Sequence, residues 1–201
     1  MDTPHNKTAP ASHLSTRHGL ARGRAHGFTL VELLVVAAAM AVLAALATPS
    51  MASIIDSTRL TSFSNDFLST MYLARSEAIK RNRPVAMCKS ATGHECAPNG
   101  GWEQGWIVFH DSNNNGTADA GEAIVHYTQA LPEGFRLSGN MHVARYISFT
   151  PAGRTRLVSG AFQAGTLTLC KVRGTGSGAR QIVINDVGRA RVLKLSDSAC
   201  A

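Results

Sequence analysis

Asp111, Asn113, Asn115, Asp119 and Glu122 occupy the first, third, fifth, ninth and twelfth places of a stretch whose sixth residue is Gly116. That is the spacing at which oxygen ligands surround calcium in an EF-hand loop. Only three of these five side chains are carboxylates, and the flanking residues read as strands where an EF-hand has helices. The same residues suit an Asn/Gly-rich hairpin turn whose side chains bond their own backbone, and that is the expectation carried forward, with no resident metal.

A second chemistry resides in the arginines. Gly188-Arg189-Ala190-Arg191 leads into an alternating run, Val192-Leu193-Lys194-Leu195. Residues two apart on a strand face the same side, so Arg189 and Arg191 would present two guanidinium groups from one edge. Gly153-Arg154-Thr155-Arg156 repeats the pattern, and Arg180 and Lys194 complete a candidate phosphate-binding set. The chain is formally +7, but unevenly so: residues 84–135 hold one Lys/Arg against six Asp/Glu, whereas residues 136–201 hold ten against two. Such a local excess creates a phosphate-seeking surface, double-stranded DNA being the obvious polyanion. No aromatic residues interleave with the arginines, so neither base stacking nor sequence preference is expected. The competing reading is solvated charge on a polar strand face.

Catalysis finds no support. His94, His110, His126 and His142 are scattered through strand and turn segments at no metal or triad spacing, so neither an enzyme nor a cofactor is expected. Trp102 and Trp106, four apart around a turn, read as packing residues.

The elements that must position these groups divide the chain in two. Residues 28–47 are apolar apart from one charge, Glu32. A helix of that length, at about 1.5 Å per residue, spans the roughly 30 Å core of a bilayer. Beyond Pro49, which should kink or loosen the helix, apolar residues including Ile54, Ile55, Phe63, Phe67, Met71, Tyr72, Ala74, Ala78 and Ile79 recur at helical spacing. Asn82-Arg83-Pro84 ends the pattern, giving a helix over residues 28–82. Short apolar runs then follow at 85–88, 106–110, 123–127, 136–137, 146–149, 166–172, 181–184 and 191–195, separated by Gly, Asn, Pro and Ser. They read as antiparallel strands of an α+β domain occupying residues 83–201.

Gly27-Phe28-Thr29-Leu30-Val31-Glu32, opening the apolar stretch, resembles the processing and assembly signal of type IV pilin-like proteins. An ordinary secretory signal would have a basic stretch, an uninterrupted apolar core and small residues near Ala45. Here Glu32 interrupts that core. The resemblance implies a pilin-like fold, a leader of residues 1–27 removed after Gly27 by a prepilin peptidase, and methylation of the new amine at Phe28. It also implies an assembly role for Glu32, fifth in the mature chain, as the carboxylate that pairs with the amine of a neighbouring subunit.

Gly188-Arg189-Ala190-Arg191, the Gly-Trp-x-x-Phe-x-Asp run from Gly105 to Asp111, the Phe-x-Pro-x-Gly run from Phe149 to Gly153 and the late Cys200 together resemble the GspH/FimT pseudopilin family of minor pilins. The resemblance implies a single-pass protein of the bacterial inner membrane with its C-terminal domain in the periplasm. Its partners would be other major or minor pilins or pseudopilins, in a type IV pilus or type II secretion filament. FimT-like members are associated with DNA uptake in natural transformation, which the C-terminal arginines favour; the alternative is a GspH-like or pilus-priming subunit that binds only proteins.

In an oxidising periplasm the four cysteines are expected to pair. Cys88 with Cys96 and Cys170 with Cys200 closes the shortest loops of the three connectivities. A zinc site from Cys88, His94 and Cys96 would lack a fourth ligand at metal-like spacing.

Overall fold

A computed structural model describes residues 27–172 and 178–196, the side chains at 46–50 excepted. Residues 1–26 of the expected leader 1–27, and Cys200, therefore lie outside the described residues. The chain forms two compact units, Met1–Leu43 and Ala44–Ala201.

One helix, α1 (Leu30–Arg81), contributes to both. It begins where Thr29 Oγ1 accepts the Glu32 backbone N–H at 3.2 Å. Thr-x-x-Glu is the sequence of a capping box, a start signal that fixes the helix at the residue after Thr29. The helix assignment runs unbroken through Pro49, so the expected loosening is not a break in α1. At the other end Asn82 adopts φ 52°, and the Arg83 N–H reaches back to Ala78 O at 3.3 Å. This left-handed stop followed by proline terminates the helix as the sequence implied. Among the described residues no helix is long and apolar enough to cross a membrane. The end of the expected 28–47 span, at 46 and 47, falls on side chains outside those described.

The second unit adds eight strands in two antiparallel four-stranded sheets. The first sheet contains β1 (Val85–Lys89), β2 (Trp106–His110), β3 (Ile124–Thr128) and β5 (Tyr146–Phe149), in the order β3-β2-β1-β5. The second contains β4 (Phe135–Gly139), β6 (Gly165–Lys171), β7 (Ala179–Ile184) and β8 (Ala190–Leu195), in the order β4-β6-β7-β8. All eight expected runs are strands.

Leu60, Phe67, Met71, Ala74 and Ala78 form the buried stripe of α1, at the three- and four-residue spacing of a helix face. They share one core with Val85 and Val108 of the first sheet and Leu137, Leu167 and Ile182 of the second. Phe67 meets Trp102 and Trp106 edge-on, with ring centroids 5.3 and 5.1 Å away. The stripe read from sequence was too wide: Ile54, Ile55, Tyr72 and Ile79 are exposed, because they fall to the sides of the arc that Leu60 and Phe67 define.

The far face of the first sheet has its own small core. Ala86, Cys88, Ile107 and Phe109 pack there beneath Cys96, Ala118 and Tyr146. Cys88 and Cys96 are disulfide-bonded, with Cα atoms 5.6 Å apart. That bond removes both thiols from any zinc site. Cys170 is buried and pairs with no cysteine among the described residues.

Candidate functional site

Strand register sorts the candidate arginines. Arg180 lies opposite Lys194 and Ile182 opposite Val192. Ile182 belongs to the core, so the even-numbered residues of β7 and β8 face the helix, and Arg191 with Leu193 faces out. Arg180 is therefore buried. Its Nη2 donates to Ser57 O, Ser57 Oγ and Thr61 Oγ1 at 3.1, 2.9 and 3.0 Å. This corrects the sequence reading, which had offered Arg180 to a phosphate: the guanidinium is consumed in fastening β7 to α1. Lys194 also belongs on the helix side, where it lines a depression with Ser53, Ile54, Ser57 and Thr58.

Arg189 and Arg191 are both exposed, but only Arg191 lies on β8; Arg189 sits in the turn just before it. Gly188, at φ 73°, closes the turn before β8, and Asn185 holds that turn by accepting the Arg189 N–H on Oδ1 at 2.9 Å. Val183, Asn185, Arg189, Ala190 and Arg191 line a shallow depression of about 470 Å³.

The two Gly-Arg-x-Arg segments, separate in sequence, adjoin in space. Thr155 Oγ1 donates to Asn185 O at 2.9 Å, and Arg154 pairs with Asp186 at 2.7 Å. Arg154 and Arg156 also stand over the Phe162 ring, 5.7 and 4.9 Å from its centroid, and Arg156 donates to Gly160 O at 2.7 Å. Of the six candidate side chains, then, Arg189, Arg191 and Lys194 are exposed, Lys194 on the helix side, while Arg154 and Arg156 are half-buried and partly committed to their own loop.

The loop at 111–122 behaves as a self-bonded turn. Asp111 is buried and accepts the Asn115 and Gly116 N–H groups, each at 2.9 Å. Burial raises its carboxyl above the ordinary range, against the opposing pull of those N–H groups. Glu122 accepts the Ser112 and Asp119 N–H groups. Asp119 receives the Asn113 and Asn115 amides at 2.8 and 2.7 Å, and these bonds lower its carboxyl. Among the described residues no cluster of three His, Cys, Asp or Glu is placed to hold a metal.

In the first unit, Phe28 is 82% exposed and Glu32 is exposed in the first helical turn. Among the described residues none lies within reach of a Cβ added at Gly27.

Sequence reasoning missed two features. The pairing of Lys171 in β6 with Asp56 in α1 joins residues far apart in the chain, and nothing local announces it. Glu77, near the end of α1, receives Arg81 at 2.7 Å and lies 3.9 Å from both Lys80 and His110. The hydrogen bond from Arg81 holds its carboxyl below the ordinary range. Its helical i,i+4 half was readable from spacing; the His110 half was not.

The family model described as the type II transport protein GspH matches residues 64–188. A second, described as the prokaryotic N-terminal methylation motif, matches residues 22–48. Among solved structures, the type IV minor pilin FimU of Pseudomonas aeruginosa is similar at 19% identity and a TM-score of 0.49, covering 72% of this chain and 96% of that one. The minor pseudopilin EPSH of the Vibrio cholerae type II secretion system is similar at 10% identity and a TM-score of 0.44, covering 68% and 96%. Comparison with curated proteins gave no match.

Proposed function

The chain belongs to the GspH family of type II transport proteins, non-enzymatic pilin-like subunits, and from that premise we propose that it is a minor subunit which enters a type II secretion or type IV filament and acts there through protein contacts. In this reading the precursor sits in the inner membrane through residues 28–47 and is cut after Gly27. Other pilin-like subunits and the prepilin peptidase are its partners. The domain boundaries are those of the sequence: leader to 27, helix to 82, periplasmic domain from 83.

One observation carries the proposal: Glu32, the one charge of the apolar stretch 28–47, stands in the first turn of α1, whose start is fixed by Thr29. A charge in such a segment is costly in lipid unless paired, and a neighbour's N-terminal amine would pair it. Glu32→Ala should leave membrane insertion and leader cleavage intact while reducing recovery in sheared filaments at least tenfold. Normal recovery of the variant would remove the assembly role.

A second reading, DNA capture, is supported by Arg189 and Arg191. Both are exposed, Arg191 on the outward side of the edge strand β8 and Arg189 in the turn that leads into it. The salt dependence given in the Discussion tests it.

A further inference from the structure

One corner of the second unit combines apolar exposure with arginine in a way the filament-anchoring helix does not explain. Gly153 is its centre: a Cβ there would lie 2.7 Å from Ile79 Cδ1 and 3.0 Å from Arg75 Nε of α1. The next residue, Arg154, reaches Phe162, which Arg156 also covers. Ile79 is 51% exposed and Phe162 58%. The Nε atoms of Arg75 and Arg154 are shielded from water and have no hydrogen-bond acceptor among the described residues. Three guanidinium groups thus gather around two exposed apolar side chains, with Asp186 as the acid among them.

We propose that this corner docks a neighbouring acidic subunit, through a protein face that brings a carboxylate beside an apolar side chain. The proposal rests on the reading of the chain as an assembly subunit and adds the surface and the chemistry of the partner. Aromatic residues and arginine are the types enriched where protein interfaces concentrate their energy, and a partner carboxylate can take a guanidinium bidentately.

Phosphate chemistry fits the corner poorly. The Phe162 face already carries two guanidinium groups, so no ring is offered to a base, and Asp186 both neutralises Arg154 and repels phosphate. Ile79 and Phe162 would contribute nothing to a phosphate backbone. A second copy of this chain fits no better. Without residues 1–27 it still holds sixteen Lys/Arg against twelve Asp/Glu, formally +4, and the carboxylates of its acidic loop, Asp111, Asp119 and Glu122, are engaged by that loop's own N–H groups. Charge complementarity therefore selects a different, acidic protein.

The test uses the full chain in cells, with a photo-cross-linking phenylalanine analogue at position 162 and, as control, at Met141, an apolar side chain that is 89% exposed. Filament recovery is measured on the same samples. The expected result is an adduct from position 162, at least tenfold above position 141, with a second subunit that bears its own N-methylation signal. Its cross-linked peptide should contain Asp or Glu, and Arg75→Glu with Arg156→Glu should lower the yield at least tenfold. Adducts to DNA, to a copy of this chain or to a protein outside the filament would overturn the proposal. So would a chain that enters filaments normally yet gives no adduct above the control. A chain that never enters filaments would instead refute the assembly reading, and this proposal with it.

Discussion

Gly188 stands directly against the carbonyl oxygen of Gly153: a Cβ added at Gly188 would lie 2.3 Å from that atom. Both residues also have positive φ, 73° and 71°. Backbone cannot yield as a flexible side chain can, and a non-glycine residue in that conformation is strained in any case. Gly188→Ala should cost about 2–4 kcal/mol in a denaturant melt. A loss below about 0.5 kcal/mol would mean that the two turns slide apart freely.

Arg180 and the Arg189/Arg191 pair should behave as opposites. Arg180→Met leaves Ser57 and Thr61 without their donor and should destabilise the domain by about 2 kcal/mol, the range for hydrogen bonds to a charged group. DNA affinity at fixed salt should be unchanged so long as the variant is folded. A weakened affinity in folded protein would return Arg180 to the binding surface.

For Arg189→Ala with Arg191→Ala, the melt should stay within about 0.5 kcal/mol of the parent, as exposed substitutions do. If the DNA reading holds, the slope of log K against log salt should become less steep by about 1.8, two phosphate contacts at about 0.9 each. An unaltered slope would assign these arginines to a protein contact or to solvent.

Glu77 predicts a pH dependence. Its folded carboxyl titrates below the ordinary value of 4.5, so the unfolded chain binds the proton first as pH falls. The stabilisation is therefore present above about pH 4.5 and is lost as pH drops through the folded value. Glu77→Gln should cost about 0.5 kcal/mol at about pH 7, the size of a helical i,i+4 pair, and progressively less as pH falls below about 4.5. A variant whose deficit persists in acid would show that packing, not the ion pair with Arg81, is at stake.

Most of the fold was legible because its signals are local. Helix stop and eight short strands each rest on a few adjacent residues, such as Asn82 with Pro84, and the helix start lies at the head of the apolar run. The disulfide between Cys88 and Cys96 was readable for the same reason. The site was only half legible. The sequence placed Arg189 and Arg191 side by side, and both are exposed, yet composition counted Arg180 and Lys194 as equals of both. Whether an arginine on a strand points to water or into a helix is decided by register across the sheet, and register is a relation between distant segments. The meeting of the two Gly-Arg-x-Arg turns at Gly153 and Gly188, and the Asp56 with Lys171 pair, belong to the same non-local class.

The ties from the second sheet to α1 have a mechanical meaning. A subunit held in a filament by its helix receives tension along α1, and the load must pass into the sheets to reach the rest of the domain. Asp56 and Ser57, joined to Lys171 and Arg180, precede every core residue of α1 in the chain, and Thr61 follows only Leu60, so these three take that load first. The strand carrying Arg180 is flanked on both sides by β6 and β8, so force arriving there is shared across a sheet and does not unzip an edge. Pulling on this subunit should make its domain yield as one block, late and abruptly.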